Sequence, residues 1–141
     1  MALDLSSLRE ALAALDTSLR YLESELAADP GLRDQFRAAA IQAFEFTYEL
    51  AFKFMKRQLE QMSSAPAVVD EMSFMQVVRA SAEAGLLDEV SRFFDYRAAR
   101  NITSHSYDKR KAERIVAELP RFALDVHALL DRLEARNRAD D

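Results

Sequence analysis

Cysteine and tryptophan are absent from this chain of 141 residues, and there are only 2 glycines and 3 prolines. Without cysteine there is no disulfide, no thiolate metal site and no cysteine nucleophile. So little glycine and proline leaves few tight turns to build with. No apolar run is long enough to span a bilayer. The opening "MALDLSSLRE" lacks a basic start followed by an apolar block, so no signal peptide is expected and the protein reads as cytoplasmic. The net charge of -5 argues against a protein that coats nucleic acid indiscriminately. Histidine is scarce too, with two in the chain.

What is present is alanine, leucine, arginine and glutamate, with 50% hydrophobic residues. That is the composition of an all-α protein, and the length suits a single domain over residues 1–141 with one core. Leu5, Leu8, Leu12, Leu15, Leu19, Leu22 and Leu26 alternate spacings of three and four. They predict a first helix with one narrow apolar stripe, ended by "ADPG". Asp29 is placed to cap a second helix, with Pro30 at its first position, running to about Met62. That helix has two stripes, Phe36–Ala40–Ala43–Thr47–Leu50–Phe54 and Ile41–Phe44–Tyr48–Phe52–Met55–Leu59. A helix apolar on two sides needs two partners. It is either central in its bundle or shared with another chain, and a homodimer is a natural cover for the second stripe.

"SSAPAVVDEMS" reads as a loop. A short helix follows from about Ser73 to Ala84, with Gly85 as its left-handed stop. Asp88 is expected to cap a helix over "DEVSRFFDYRAARN", and Asp108 to cap the last one. In the last helix Ala112, Ile115, Leu119, Phe122, Val126, Leu129 and Leu133 keep one register through Pro120, which predicts a single kinked helix. "RNRADD" is a polar tail. The expected architecture is an up-and-down four-helix bundle with an additional short helix, dimerising through the bundle.

The chemistry concentrates in "RNITSHSY", Arg100 to Tyr107. On an unbroken helix Arg100 and His105 would point about 140° apart. If the helix stops near Asn101 the two can converge, with Tyr107 at the same mouth. Asn101, Thr103 and Ser104 compete for backbone hydrogen bonds and so favour that stop. Arginine offers a phosphate a fork of permanent donors, and histidine exchanges a proton near neutral pH. Together they could cleave RNA without a metal: a base takes the ribose 2'-OH proton and a cation steadies the phosphate. Two copies about a two-fold axis would add a second histidine as the acid. From Arg92 to Arg114 there are seven basic and three acidic residues, a local +4 in an acidic chain. Charge alone does not separate a phosphate site from a solvated mixed face, and a capping histidine beside a structural arginine is the plain alternative.

The pattern Arg-x4-His-x-Tyr, with Asn101 after the arginine and a joint before the last helix, resembles the HEPN superfamily. The fuller "RNITSHSYD", with "FEFTYELAFK" from Phe44 to Lys53, is similar to one branch of it: the nucleotidyltransferase substrate-binding proteins, helical partners of minimal nucleotidyltransferases. The resemblance implies a dimer with the two motifs near its axis and a separately encoded nucleotidyltransferase. In toxin–antitoxin pairs of this kind it implies a ribonuclease with Arg100 and His105 as the catalytic pair. Asn101 supports them, and AMP added to Tyr107 silences the enzyme. It implies no metal and no cofactor. Three classes remain open at this level: a ribonuclease toxin, a non-catalytic accessory subunit that binds substrate for the nucleotidyltransferase, and a structural dimer.

Overall fold

A computed structural model describes residues 2–138. Within them the chain forms six α-helices and no strand. They are α1 (Ser6–Leu22), α2 (Pro30–Met62), α3 (Pro66–Asp70), α4 (Phe74–Glu83), α5 (Val90–Asn101) and α6 (Lys109–Arg138). Two short 3-10 turns, Glu25–Ala28 and Thr103–His105, join α1 to α2 and α5 to α6. The long helices α1, α2 and α6 pack on one another. The helix α4 lies on α2, and α5 lies on α4 and α6.

Local signals set most of the boundaries. Asp29 accepts from the N–H groups of Gly31 (2.8 Å) and Leu32 (3.1 Å), so α2 begins with a capped turn and Pro30 in place. Ser73 and Gln76 form a reciprocal capping box at the start of α4. Gly85 stops α4 at φ 81°, a left-handed conformation that glycine adopts without a Cβ clash. The register of α6 runs through Pro120 in one helix, and all seven residues of its stripe are buried.

Four expectations are corrected. The first helix stops at Leu22, because the Ser24 hydroxyl donates to the carbonyl of Tyr21 at 2.6 Å and the chain tightens into the 3-10 turn. Leu26 is therefore left exposed. The "SSAPAVVDEMS" loop contains α3, started by Pro66 and anchored by buried Val69. Asp88 does not cap α5. Both its oxygens accept from Arg132 of α6 at 2.9 Å, and this bidentate contact holds its carboxyl below the usual carboxylate range. Of the expected polar tail, Arg136 to Arg138 are helical and the rest lies outside the described residues.

The second stripe of α2 is covered within one chain. Phe44 meets Phe122 of α6 edge-on at 4.8 Å, while Tyr48 and Phe52 contact Phe74 of α4 at 5.1 and 5.3 Å. The helix is thus central, and its two stripes by themselves do not call for a second copy. Phe122 also meets Tyr96 edge-on at 5.1 Å. Each such pair contributes about 0.5–1.5 kcal/mol beyond burial. Through Phe44, Phe122 and Tyr96 this chain of rings fixes α5, and with it the turn that follows, against α2 and α6.

Candidate functional site

Helix α5 ends at Asn101, so Arg100 is not on one continuous helix with His105. Three backbone bonds fold the connection: His105 N–H to Ile102 (3.0 Å), Ser106 N–H to Thr103 (3.2 Å) and Asp108 N–H to His105 (3.0 Å). Asp108 then caps α6, accepting from the N–H groups of Arg110 (2.9 Å) and Lys111 (3.4 Å). The octapeptide is a tightly wound joint between two packed helices.

The joint presents its chemistry outward. His105 is exposed, and Tyr107 is the most exposed large hydrophobic side chain of the described residues at 83%. Their rings lie 6.1 Å apart. The structure therefore brings His105 and Tyr107 together at the surface. Arg100 turns towards α2 instead. Its Nη2 donates to Glu49 at 2.8 Å, its Nη1 donates to Thr103 Oγ1 at 3.0 Å, and Glu45 stands 3.9 Å away. No hydrogen bond joins Arg100 to His105. Asn101 is exposed, and among the described residues its side chain makes no hydrogen bond. Of the three residues expected to favour the stop, Thr103 closes the turn: its hydroxyl donates to the carbonyl of Arg100 at 2.9 Å.

Glu45 and Glu49 are residues that sequence reasoning passed over. They lie four apart on the outer side of α2, inside "FEFTYELAFK", and nothing local marks them as partners of an arginine 51 positions away. Between them Tyr48 is half-buried over Phe74. Burial pushes its hydroxyl up to about 12, against the opposing pull of Arg97 and Arg100. Arg97 lies over the same Phe74 ring at 6.0 Å.

The cations around the joint divide into two groups. Arg92 is paired with Asp125, Arg121 with Asp95 and Glu118, and Arg100 with Glu49. Lys109, Arg110, Lys111 and Arg114, on the first turns of α6, form no ion pair among the described residues. They put four unpaired positive charges on the two turns of α6 that directly follow His105 and Tyr107 in the chain. Among the described residues no group of three or more histidines, aspartates or glutamates is arranged to hold a metal, and no helix is long and apolar enough to cross a membrane.

Residues 3–135 match the family described as nucleotidyltransferase substrate binding protein like. A protein of Haemophilus influenzae named probable ribonuclease HepT is 39% identical over 109 residues, 77% of this chain and 75% of that protein. A solved structure from the same organism, described as revealing the fold of a substrate binding domain of a nucleotidyltransferase, superposes with a TM-score of 0.88 at 34% identity. It covers 93% of this chain and 99% of the other.

Proposed function

Because the chain belongs to the family of nucleotidyltransferase substrate binding protein like chains, we propose that it is a HEPN-type ribonuclease toxin. It cleaves RNA without a metal and is silenced when a minimal nucleotidyltransferase adds AMP to Tyr107. One observation carries the reading beyond family membership. His105 and Tyr107 stand exposed and side by side, one turn beyond Arg100 and next to four unpaired cations.

In the reaction His105 takes the proton of a ribose 2'-OH. The freed oxygen bonds to the adjacent phosphorus, and the bond to the 5'-oxygen breaks, leaving a 2',3'-cyclic phosphate. Arg100 stabilises the added negative charge, and the exposed Asn101 beside it is left free to contact the phosphate. The departing oxygen needs a proton. In a homodimer of the bundle, four-helix in plan with the motifs at its axis, the His105 of a second copy supplies it. Lys109, Arg110, Lys111 and Arg114 hold flanking phosphates.

Silencing acts through Tyr107. Its Oη bonds to the α-phosphorus of ATP, pyrophosphate leaves with the electrons of the broken bond, and the phenolic proton passes to solvent or the partner. The attached phosphate then offers an anion beside the cations that RNA needs, and the adenosine fills the mouth.

A second reading has an observation of its own. Arg100 is already engaged by Glu49 and Glu45, as it would be in an accessory subunit that cleaves nothing and binds substrate for the nucleotidyltransferase. One experiment separates the two. The chain is incubated with RNA in EDTA, then with the nucleotidyltransferase and ATP, and products and intact mass are read. The toxin reading expects cleavage in EDTA, its loss in a folded His105→Ala variant, and whole AMP increments on wild type but not on Tyr107→Phe. Intact RNA and unchanged mass, with a nucleotidyltransferase active on another substrate, would establish the accessory reading instead.

A further inference from the structure

Within the octapeptide the fold buries one polar side chain, Thr103, to 5% exposure. A buried hydroxyl must be satisfied, and both of this one's bonds go to the same residue. It donates to the Arg100 carbonyl at 2.9 Å and accepts from Arg100 Nη1 at 3.0 Å. One side chain thus ties down the main chain at the end of α5 and the guanidinium that leaves it.

The other partner of the guanidinium is of a different kind. Glu49 comes from another helix and its side chain is 60% exposed, so water and salt screen its pull on Nη2. Thr103 is sheltered and two residues from the end of the same helix. A guanidinium carries five N–H donors, and Thr103 and Glu49 take two of them. One donor remains on each of the three nitrogens. A phosphate oxygen can therefore accept from Arg100 without Thr103 or Glu49 letting go, with the Glu45 carboxylate standing 3.9 Å from Nη1.

We propose that Thr103 is a positioning residue: it holds the Arg100 fork at a fixed angle for an RNA phosphate, with Glu49 as a weaker, replaceable strut. The inference rests on the ribonuclease reading above. Orientation of this kind governs the reaction step, since small misplacements of a group that contacts the transition state lower the rate by up to about a hundredfold.

Thr103→Val keeps the β-branched shape and removes both hydrogen bonds, whereas Thr103→Ser keeps the hydroxyl. Steady-state cleavage of a short RNA is measured for wild type, both variants, Arg100→Ala, and Arg100→Ala combined with Thr103→Val, with Tm recorded for each. Thr103→Val is expected to lower kcat about tenfold or more with KM within about threefold, and Thr103→Ser to restore most of it. Added to Arg100→Ala, Thr103→Val should cost nothing further, because the group it positions is gone. Full activity in Thr103→Val overturns the proposal. So does an equal loss on top of Arg100→Ala, or a loss in both Thr103 variants that merely tracks Tm. If wild type leaves RNA intact, the ribonuclease reading fails first and this inference falls with it.

Discussion

Tyr96 and Tyr107 stand eleven residues apart and belong to opposite regimes. Tyr96, in the middle of α5, is completely buried, flanked edge-on by Phe93 and Phe122, with its hydroxyl donating to Asp125. Asp125 also accepts from Arg92 at 2.8 Å, and Arg121 lies over the Tyr96 ring while binding Asp95. Burial and the neighbouring carboxylate both push the Tyr96 hydroxyl far up. Tyr107 has no hydrogen bond among the described residues and is almost wholly in water. The same side chain is structure in one place and available chemistry in the other. The difference follows from desolvation. A polar group removed from water is costly unless paired, so the buried Tyr96 hydroxyl is taken up by Asp125; a group left in water can go unpaired and remain free to react.

The contrast can be broken most directly at the two rings. Tyr96→Ala should destabilise the fold by about 3–5 kcal/mol, while Tyr107→Ala should stay within about 0.5 kcal/mol. Urea unfolding of both variants checks this, and a comparable loss in each would erase the distinction. A smaller effect sharpens the account of the Tyr96 network. Asp125→Asn keeps the shape but weakens the acceptor shared by Tyr96 and Arg92, and should cost about 1–2 kcal/mol. An unchanged denaturation midpoint would mean that this network contributes nothing net.

The smallest expected effect concerns Tyr48, which lies between the regimes. Its raised pKa means that folding favours the neutral hydroxyl. That contribution is complete below about pH 10, where an unfolded tyrosine ionises, and is lost as pH rises towards about 12. Thermal unfolding followed upward from pH 9 should show a falling Tm, with a shallower fall in Tyr48→Phe. Equal slopes would remove Tyr48 as a contributor.

Legibility in the sequence divided along similar lines. Asp29, Pro30, Gly85 and Asp108 act within one turn of chain, so their roles were readable from their neighbours. The stripe of α6 was readable through Pro120 because a periodic apolar face persists where one hydrogen bond is lost. Asp88 misled because a capping carboxylate can also be claimed by a distant arginine, here Arg132, and sequence spacing does not show which wins. Asn101 and Thr103 were equally plausible as the residue that closes the turn. Only packing decided that Thr103 goes inward and Asn101 outward.

Periodicity, caps and composition by themselves determined an all-helical chain, the extents of α2 and α6, and a joint that carries Arg100, His105 and Tyr107. These are properties of a few consecutive residues obeying one helical repeat. The tertiary structure alone decided that both stripes of α2 are covered from within the chain and that Arg100 reaches back 51 positions to Glu49. It also decided that Thr103 is buried beneath Arg100 while Tyr107 is left in water. Each of these depends on which helix faces arrive at the same place, and that is set by the summed packing of the core, not by any local stretch of sequence.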